Sequence, residues 1–176
     1  MTVTEYMTKV TAATATGEYV GRDMVLGLDC AATPSATAQP ESFTYVGAHV
    51  EDYGAELDPK TEDKSYVYEG DSTIKTSTQR TFSIAGQAYI SDEFMDFVRS
   101  FAVKFGKGTA VQRRYVYFHS GTGKGESGTV TIIVKNDGNG AASSPADVEI
   151  EMKSCGPVSE FTWTACVFLG LTDRCA

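Results

Sequence analysis

The chain has 176 residues, a net charge of −8 and 41% hydrophobic residues. That is enough for one domain whose core needs neither metal nor disulfide. The acidic balance argues against adhesion to nucleic acid or to an anionic membrane, which need clustered Lys and Arg, but not against a protein past which nucleic acid slides. No apolar run approaches the roughly 20 residues of a membrane span. The first ten residues lack a basic region followed by an apolar one, so synthesis and folding in the cytoplasm are expected.

Residues 1–16 are rich in Thr and Ala, with only Val3, Tyr6, Met7 and Val10 as apolar pattern, and read as a tail or an arm that docks on a neighbour. Strand-like sequence begins with Tyr19-Val20 and Met24–Asp29 and gives way to a Pro-containing loop over 31–41. It resumes over Phe43–Val50. Residues 51–73 are charged and irregular around Tyr66-Val67-Tyr68, and read as a long loop with a contact role. The run from Thr73 to Ile90 alternates, with Phe82 and Ile84 on one face and Lys75, Gln79 and Ser83 on the other.

One amphipathic helix is predicted at about 92–104. Ser91 serves as its N-cap, Asp92 and Glu93 sit at the positive end of its dipole, and Phe94, Phe97, Val98, Phe101 and Phe105 form the packing stripe. Strands follow over 110–118, 129–134 and 147–152, with Gly-rich turns between them, and a last strand over 161–169 carries Trp163. Hairpin-spaced strands around one helix predict a mostly β protein: an antiparallel β-sandwich or barrel with one flanking helix, in a single domain spanning 1–176.

Residues 147–152 read Asp-Val-Glu-Ile-Glu-Met. On a strand, Asp147, Glu149 and Glu151 share one face, roughly 7 Å apart, and Val148, Ile150 and Met152 the other. No cation lies within the row; Lys153 only extends it. Such a face is either plainly solvated or built to hold something at a distance. Glu51, Asp52, Glu56 and Asp58 form a second acidic group.

Catalytic and metal constellations are not found. Cys30, Cys155, Cys166 and Cys175 form no close pair, and His49 and His119 lie far from them, against the spacing a zinc site needs. The oxidation states of Cys155, Cys166 and Cys175 stay open. Gly121–Gly125 lacks the first glycine and the Ser or Thr of a phosphate loop, and 136–140 lacks the spaced acids of a calcium loop. His49 and His119 have no nucleophile to serve, and Trp163 is expected in the core. Neither an enzyme nor a cofactor is expected.

Several stretches resemble the major tail tube proteins of long-tailed, siphovirus-like bacteriophages and prophages. They are Val3–Val10, Ser77–Phe82, Asp92–Phe97, Val116–Phe118 leading to Thr122–Glu126, and Ile132–Val134. The resemblance implies a β-sandwich that forms sixfold rings stacked into a hollow tail tube, a virion component assembled in the host cytoplasm. It implies contacts with tape measure, tail terminator and baseplate proteins, with DNA passing through unbound and no membrane partner. Three segments would then bridge subunits: the arm at 1–16; the loop at 51–73 with Glu51, Asp52, Glu56, Asp58, Tyr66 and Tyr68; and the tail at 170–176. Asp147, Glu149 and Glu151 become candidates to line the lumen, with Glu51, Asp52, Glu56 and Asp58 as competitors. Two charges about 7 Å apart in water repel by only roughly 0.6 kcal/mol, but a tube repeats each carboxylate in every subunit. The alternatives are another virion component, such as a tail completion or capsid decoration protein, and a small-molecule or glycan-binding β-sandwich.

Overall fold

Residues 1–9, 16–33, 39–68 and 70–164 are described by a computed structural model. Its strands are β1 (Met24–Leu28), β2 (Thr44–Tyr45), β3 (Val50–Tyr66), β4 (Gly70–Gln87), β5 (Gln112–His119), β6 (Lys124–Asn139), β7 (Asp147–Ser154) and β8 (Ser159–Thr162). They pair antiparallel in the order β2-β1-β5-β6-β7-β4-β3. β7 follows β6 only from Val130 onward, and β8 takes the same edge over Lys124–Ser127. The expected antiparallel, mostly β architecture is the observed one.

The sheet curls so that distant strands meet. Phe82 of β4 lies edge-on to Tyr115 and Tyr117 of β5, with ring centroids 5.2 and 5.3 Å apart, although β6 and β7 separate these strands in the sheet. Inside the curl lie Leu26, Leu28, Phe82, Ile84, Tyr115, Val130, Ile132, Val148, Ile150 and Met152, all buried. Each such aliphatic or aromatic side chain contributes about 1.5–3 kcal/mol when fully removed from water. Two short helices close the core, α2 (Glu93–Val98) and α3 (Phe101–Lys104), which bring in Phe94, Met95, Val98 and Val103.

The single predicted helix is thus two. Asp92, not Ser91, caps α2, its side chain accepting from the Met95 N–H. The chain then breaks at Ser100, whose extended backbone (φ −61°, ψ 147°) starts α3 afresh. The break corrects the packing stripe. Phe94 and Val98 are buried and Phe97 packs against the core, whereas Phe101 is 78% exposed.

A second cluster lies on the other face of β1 and β5, where Val25, Val116 and Phe118 pack with Val3 and Phe43. It is covered from both directions along the chain. The N-terminal helix α1 (Val3–Lys9) brings Val3 and stacks Tyr6 on Tyr45 at 3.7 Å. From the far end Trp163, expected in the core but only half-buried, stacks parallel to Phe118 at 5.2 Å. Residues 1–9 therefore dock on their own chain, tied by the Val3 N–H to the Phe43 carbonyl, rather than waiting for a neighbour. Gly27 makes this possible: a Cβ there would come within 2.5 Å of Val3 Cγ2. Residues 10–15 and 165–176, which include the end of the strand expected over 161–169, Cys166, Cys175 and the 170–176 tail, lie outside the described residues.

The largest departure from expectation is 51–73. It is not an irregular loop but most of a hairpin, β3 and β4 pairing continuously to Tyr66 and Gly70 with two register shifts.

Candidate functional site

Two surfaces remain after the core is accounted for: an open, charged sheet face and a hairpin standing clear of the body.

The charged face is the uncovered part of the side that carries the second cluster. In β7, Asp147 and Glu149 are exposed and Glu151 half-buried, alternating with buried Val148, Ile150 and Met152, as the sequence pattern requires. Register decides which other acids join them, because directly opposed residues on paired strands share a face. Glu149 opposes Ala85, which opposes Asp52; Lys153 opposes Thr81, which opposes Glu56. The two acidic groups that the sequence set in competition therefore lie, through Asp52 and Glu56, on one surface. Glu51 sits beside the register shift at the start of β3 and accepts from Gln87 Nε2 at 2.6 Å.

The acidic row is not without cations. Lys135 lies two residues beyond Ile133, which opposes Glu151, and so on the same face; its Nζ lies 3.7 Å from both Glu149 and Glu151, while Lys153 lies 3.4 Å from Glu151. Five carboxylates (Asp52, Glu56, Asp147, Glu149, Glu151) thus face two ammonium groups, and the surface keeps a negative excess.

In the hairpin, β3 contributes Tyr53 and Ala55 to the core and then emerges. Every residue from Glu56 to Tyr66 is exposed, and so are the residues of β4 up to Thr78 except half-buried Ser72. From Asp58 to Tyr66 the ribbon spans roughly 27 Å, at about 3.4 Å per residue. At its end Val67 and Tyr68 are 91% and 98% exposed, and Leu57 and Ile74 are also open to solvent along the shaft. Glu51, Asp52, Glu56 and Asp58 lie toward the root, Tyr66 and Tyr68 at the tip.

The root is fixed by a bidentate ion pair. Arg80 Nε and Nη2 donate to Glu126 Oε1 and Oε2 at 2.7 and 2.9 Å, and Tyr115 Oη donates to the same carboxylate at 3.1 Å. The guanidinium also lies over the Phe82 and Tyr117 rings, 5.8 and 5.5 Å from their centroids. The hydrogen bonds to Glu126 raise the Arg80 pKa further, and burial, then the Glu126 charge, raises that of the Tyr115 phenol. Ser154 adds a second tie, its Oγ accepting from the Arg80 N–H and its carbonyl from Gln79 Nε2. The clamp joins residues 46 positions apart in the chain and leaves no local signal in the sequence.

The remaining sequence candidates have structural places. His49, at φ 61°, stacks on Tyr89 at 3.8 Å, and its carbonyl accepts from the Gln87 N–H. His119 Nδ1 accepts from the N–H groups of Gly121 and Thr122, shaping the turn. Burial pushes the Cys30 thiol up to about 12. Among the described residues no group of three or more His, Cys, Asp or Glu is placed to hold a metal ion, and no helix is long and apolar enough to cross a membrane.

No family model and no curated protein matches the chain. Solved structures do. The chain is similar in fold to one in the virion of a native gene transfer agent particle, with 15% identity and a TM-score of 0.55, over 82% of this chain and all of that one. It is likewise similar to a chain from the tail of an empty gene transfer agent particle, of C6 symmetry. There the identity is 16% and the TM-score 0.56, over 83% of this chain and all of the other. At such identities the likeness is one of fold.

Proposed function

We propose that this protein is a structural subunit of a phage-like tail, and that identical copies form rings stacked into a tail tube. The observation that carries the reading is the fold likeness across the full length of a chain from a sixfold-symmetric tail. The hairpin supports it. A ribbon that leaves its own core for roughly 27 Å and ends in exposed Tyr66, Val67 and Tyr68 gains no apolar burial from its own subunit, only backbone pairing and a few solvated polar contacts. Copies of the chain supply the missing surface.

In this reading the open sheet face, with Asp52, Glu56, Asp147, Glu149 and Glu151, turns toward the bore. Lys135 and Lys153 offset part of its charge, and the excess, repeated around each ring, keeps phosphates from adsorbing. Salt screens it over about 8–10 Å, so the repulsion acts within the channel and not beyond. The role is architectural rather than catalytic, which fits the turn-building duties of His49 and His119. Tape measure, terminator and baseplate proteins would be its partners in a virion assembled in the host cytoplasm.

Negative-stain microscopy and light scattering of the purified chain, over a concentration series, test the proposal. Rings or tubes are the expected result. A monomer at every concentration would remove it. A map of the tubes with 147–151 on the outer wall would remove the lumen assignment alone.

A further inference from the structure

The distribution of charge says where the hairpin goes. Residues 97–125 hold six of the chain's fifteen Lys and Arg and not one acid, in a protein whose net charge is −8. Part of that stretch is strand or core. Arg113 lies over the Phe97 ring and Arg114 over Phe43. Apart from exposed Lys124 at the start of β6, the remaining cations of the stretch gather around α3. Phe101 and Phe105 form a tilted pair with centroids 4.9 Å apart, 78% and 65% exposed, flanked by half-buried Arg99 and exposed Lys107. Lys104, beside Phe105, donates to Asp137 at 2.7 Å, so the acid that reaches this patch from β6 is already neutralised.

The hairpin tip has the opposite composition. Residues 62–71 contain Glu62, Asp63, Glu69 and Asp71 against Lys64 alone, around Tyr66-Val67-Tyr68. One end of the molecule is aromatic and acidic; the other exposed aromatic pair is basic.

We infer that the hairpin tip of one copy docks on the Phe101–Phe105 patch of the next. The inference rests on the tube reading and names the contact that would join one ring to another. Two dissimilar patches make a head-to-tail interface, the kind that propagates along an axis instead of closing after two subunits. Rings stacked into a tube require such a contact. The aromatic side chains supply the apolar area, and the opposed charges set register and reject tip-on-tip and patch-on-patch encounters. Aromatic residues beside Arg are also the composition of residues that dominate binding energy at interfaces.

Charge reversal with compensation tests this. One variant carries Asp63→Lys with Asp71→Lys, a second carries Arg99→Glu with Lys107→Glu, and a third carries all four. Each is assayed by pelleting and by tube length in negative stain, beside the unaltered chain. Each reversed pair alone is expected to lower pelletable tubes roughly tenfold or more, and the four-fold variant to recover most of the loss. Unchanged melting temperatures separate an interface effect from misfolding. Should the Arg99→Glu pair melt early, Lys107→Glu alone replaces it, because Lys107 is exposed. Unaltered tubes in either reversed variant, or loss in both without recovery in the third, would overturn this pairing while the tube reading stood. If the unaltered chain makes no tubes, the failure belongs to the tube reading.

Discussion

The inner and outer halves of the β3–β4 hairpin share one backbone pairing pattern and little else. Near Val50–Ala55 and Thr81–Gln87 the hairpin is a wall of the core, with Tyr53, Phe82 and Ile84 turned inward. Beyond Glu56 the same two strands run on through water with no side chain buried. Isolated two-stranded hairpins are marginally stable at best, so the inner half must hold the register of the outer one. The difference separates two jobs that one element often combines. Burial fixes the fold, and the part released from burial is left to present a surface.

Substitutions on either side of the Arg80 clamp should therefore act on different observables. The largest expected effect is at Phe82, fully buried in the core. Phe82→Ala should cost about 3–5 kcal/mol and lower the melting temperature by roughly 10 °C, at about 2–4 °C per kcal/mol for a chain of this length. Tyr68→Ser, at the tip, should leave melting within about 0.5 kcal/mol of the parent while reducing tube formation. Equal loss of melting temperature in both variants would mean that the two halves are not energetically distinct.

At the boundary, Arg80→Met leaves the Glu126 carboxylate with the Tyr115 hydroxyl alone. We expect a loss of about 1.5–3 kcal/mol, in line with hydrogen bonds to charged groups. Amide exchange should quicken in 58–66 and 71–78 more than in β7, and uniform quickening would show that Arg80 serves the core rather than the hairpin. The core side also predicts an alkaline effect. A solvated Cys30 thiol in the unfolded chain ionises near pH 9.0, whereas burial in the folded chain pushes it up to about 12. Its contribution is complete below about pH 9 and is lost as pH rises toward 12. Between pH 8 and pH 10, Cys30→Ala should lose on the order of 1 kcal/mol less stability than the parent, measured by urea unfolding. The smallest effect belongs to the open sheet face. Lys135→Gln should change stability by no more than about 0.5 kcal/mol, because its ion pairs are solvated; a larger loss would make that face structural.

What was legible in the sequence follows the same division. The alternation at 147–152 was plain because one face of β7 is buried and the other is not. The outer hairpin reads as a loop because a ribbon without a core has no reason to alternate, and period-2 patterning records burial rather than pairing. The break at Ser100 was hidden because Phe97, Phe101 and Phe105 keep helical spacing across it, so an exposed aromatic pair passed for part of a packed stripe. Lys135 reaches the acidic row because β6 pairs with β7, a neighbour relation that the sequence of either strand alone does not announce. Asp52 and Glu56 join Glu149 and Glu151 by register across three strands, again beyond the reach of a linear reading.

Gly27 carries a consequence for how this molecule tolerates change. Its missing side chain leaves a notch for one methyl of Val3, bounded by Val116 and Phe43. The surrounding residues can exchange volume among themselves, as close-packed apolar groups do. Position 27 has less latitude, since the smallest possible addition, a single carbon, would meet that methyl at 2.5 Å and force the seat of the first helix, and with it the Tyr6–Tyr45 stack, to shift.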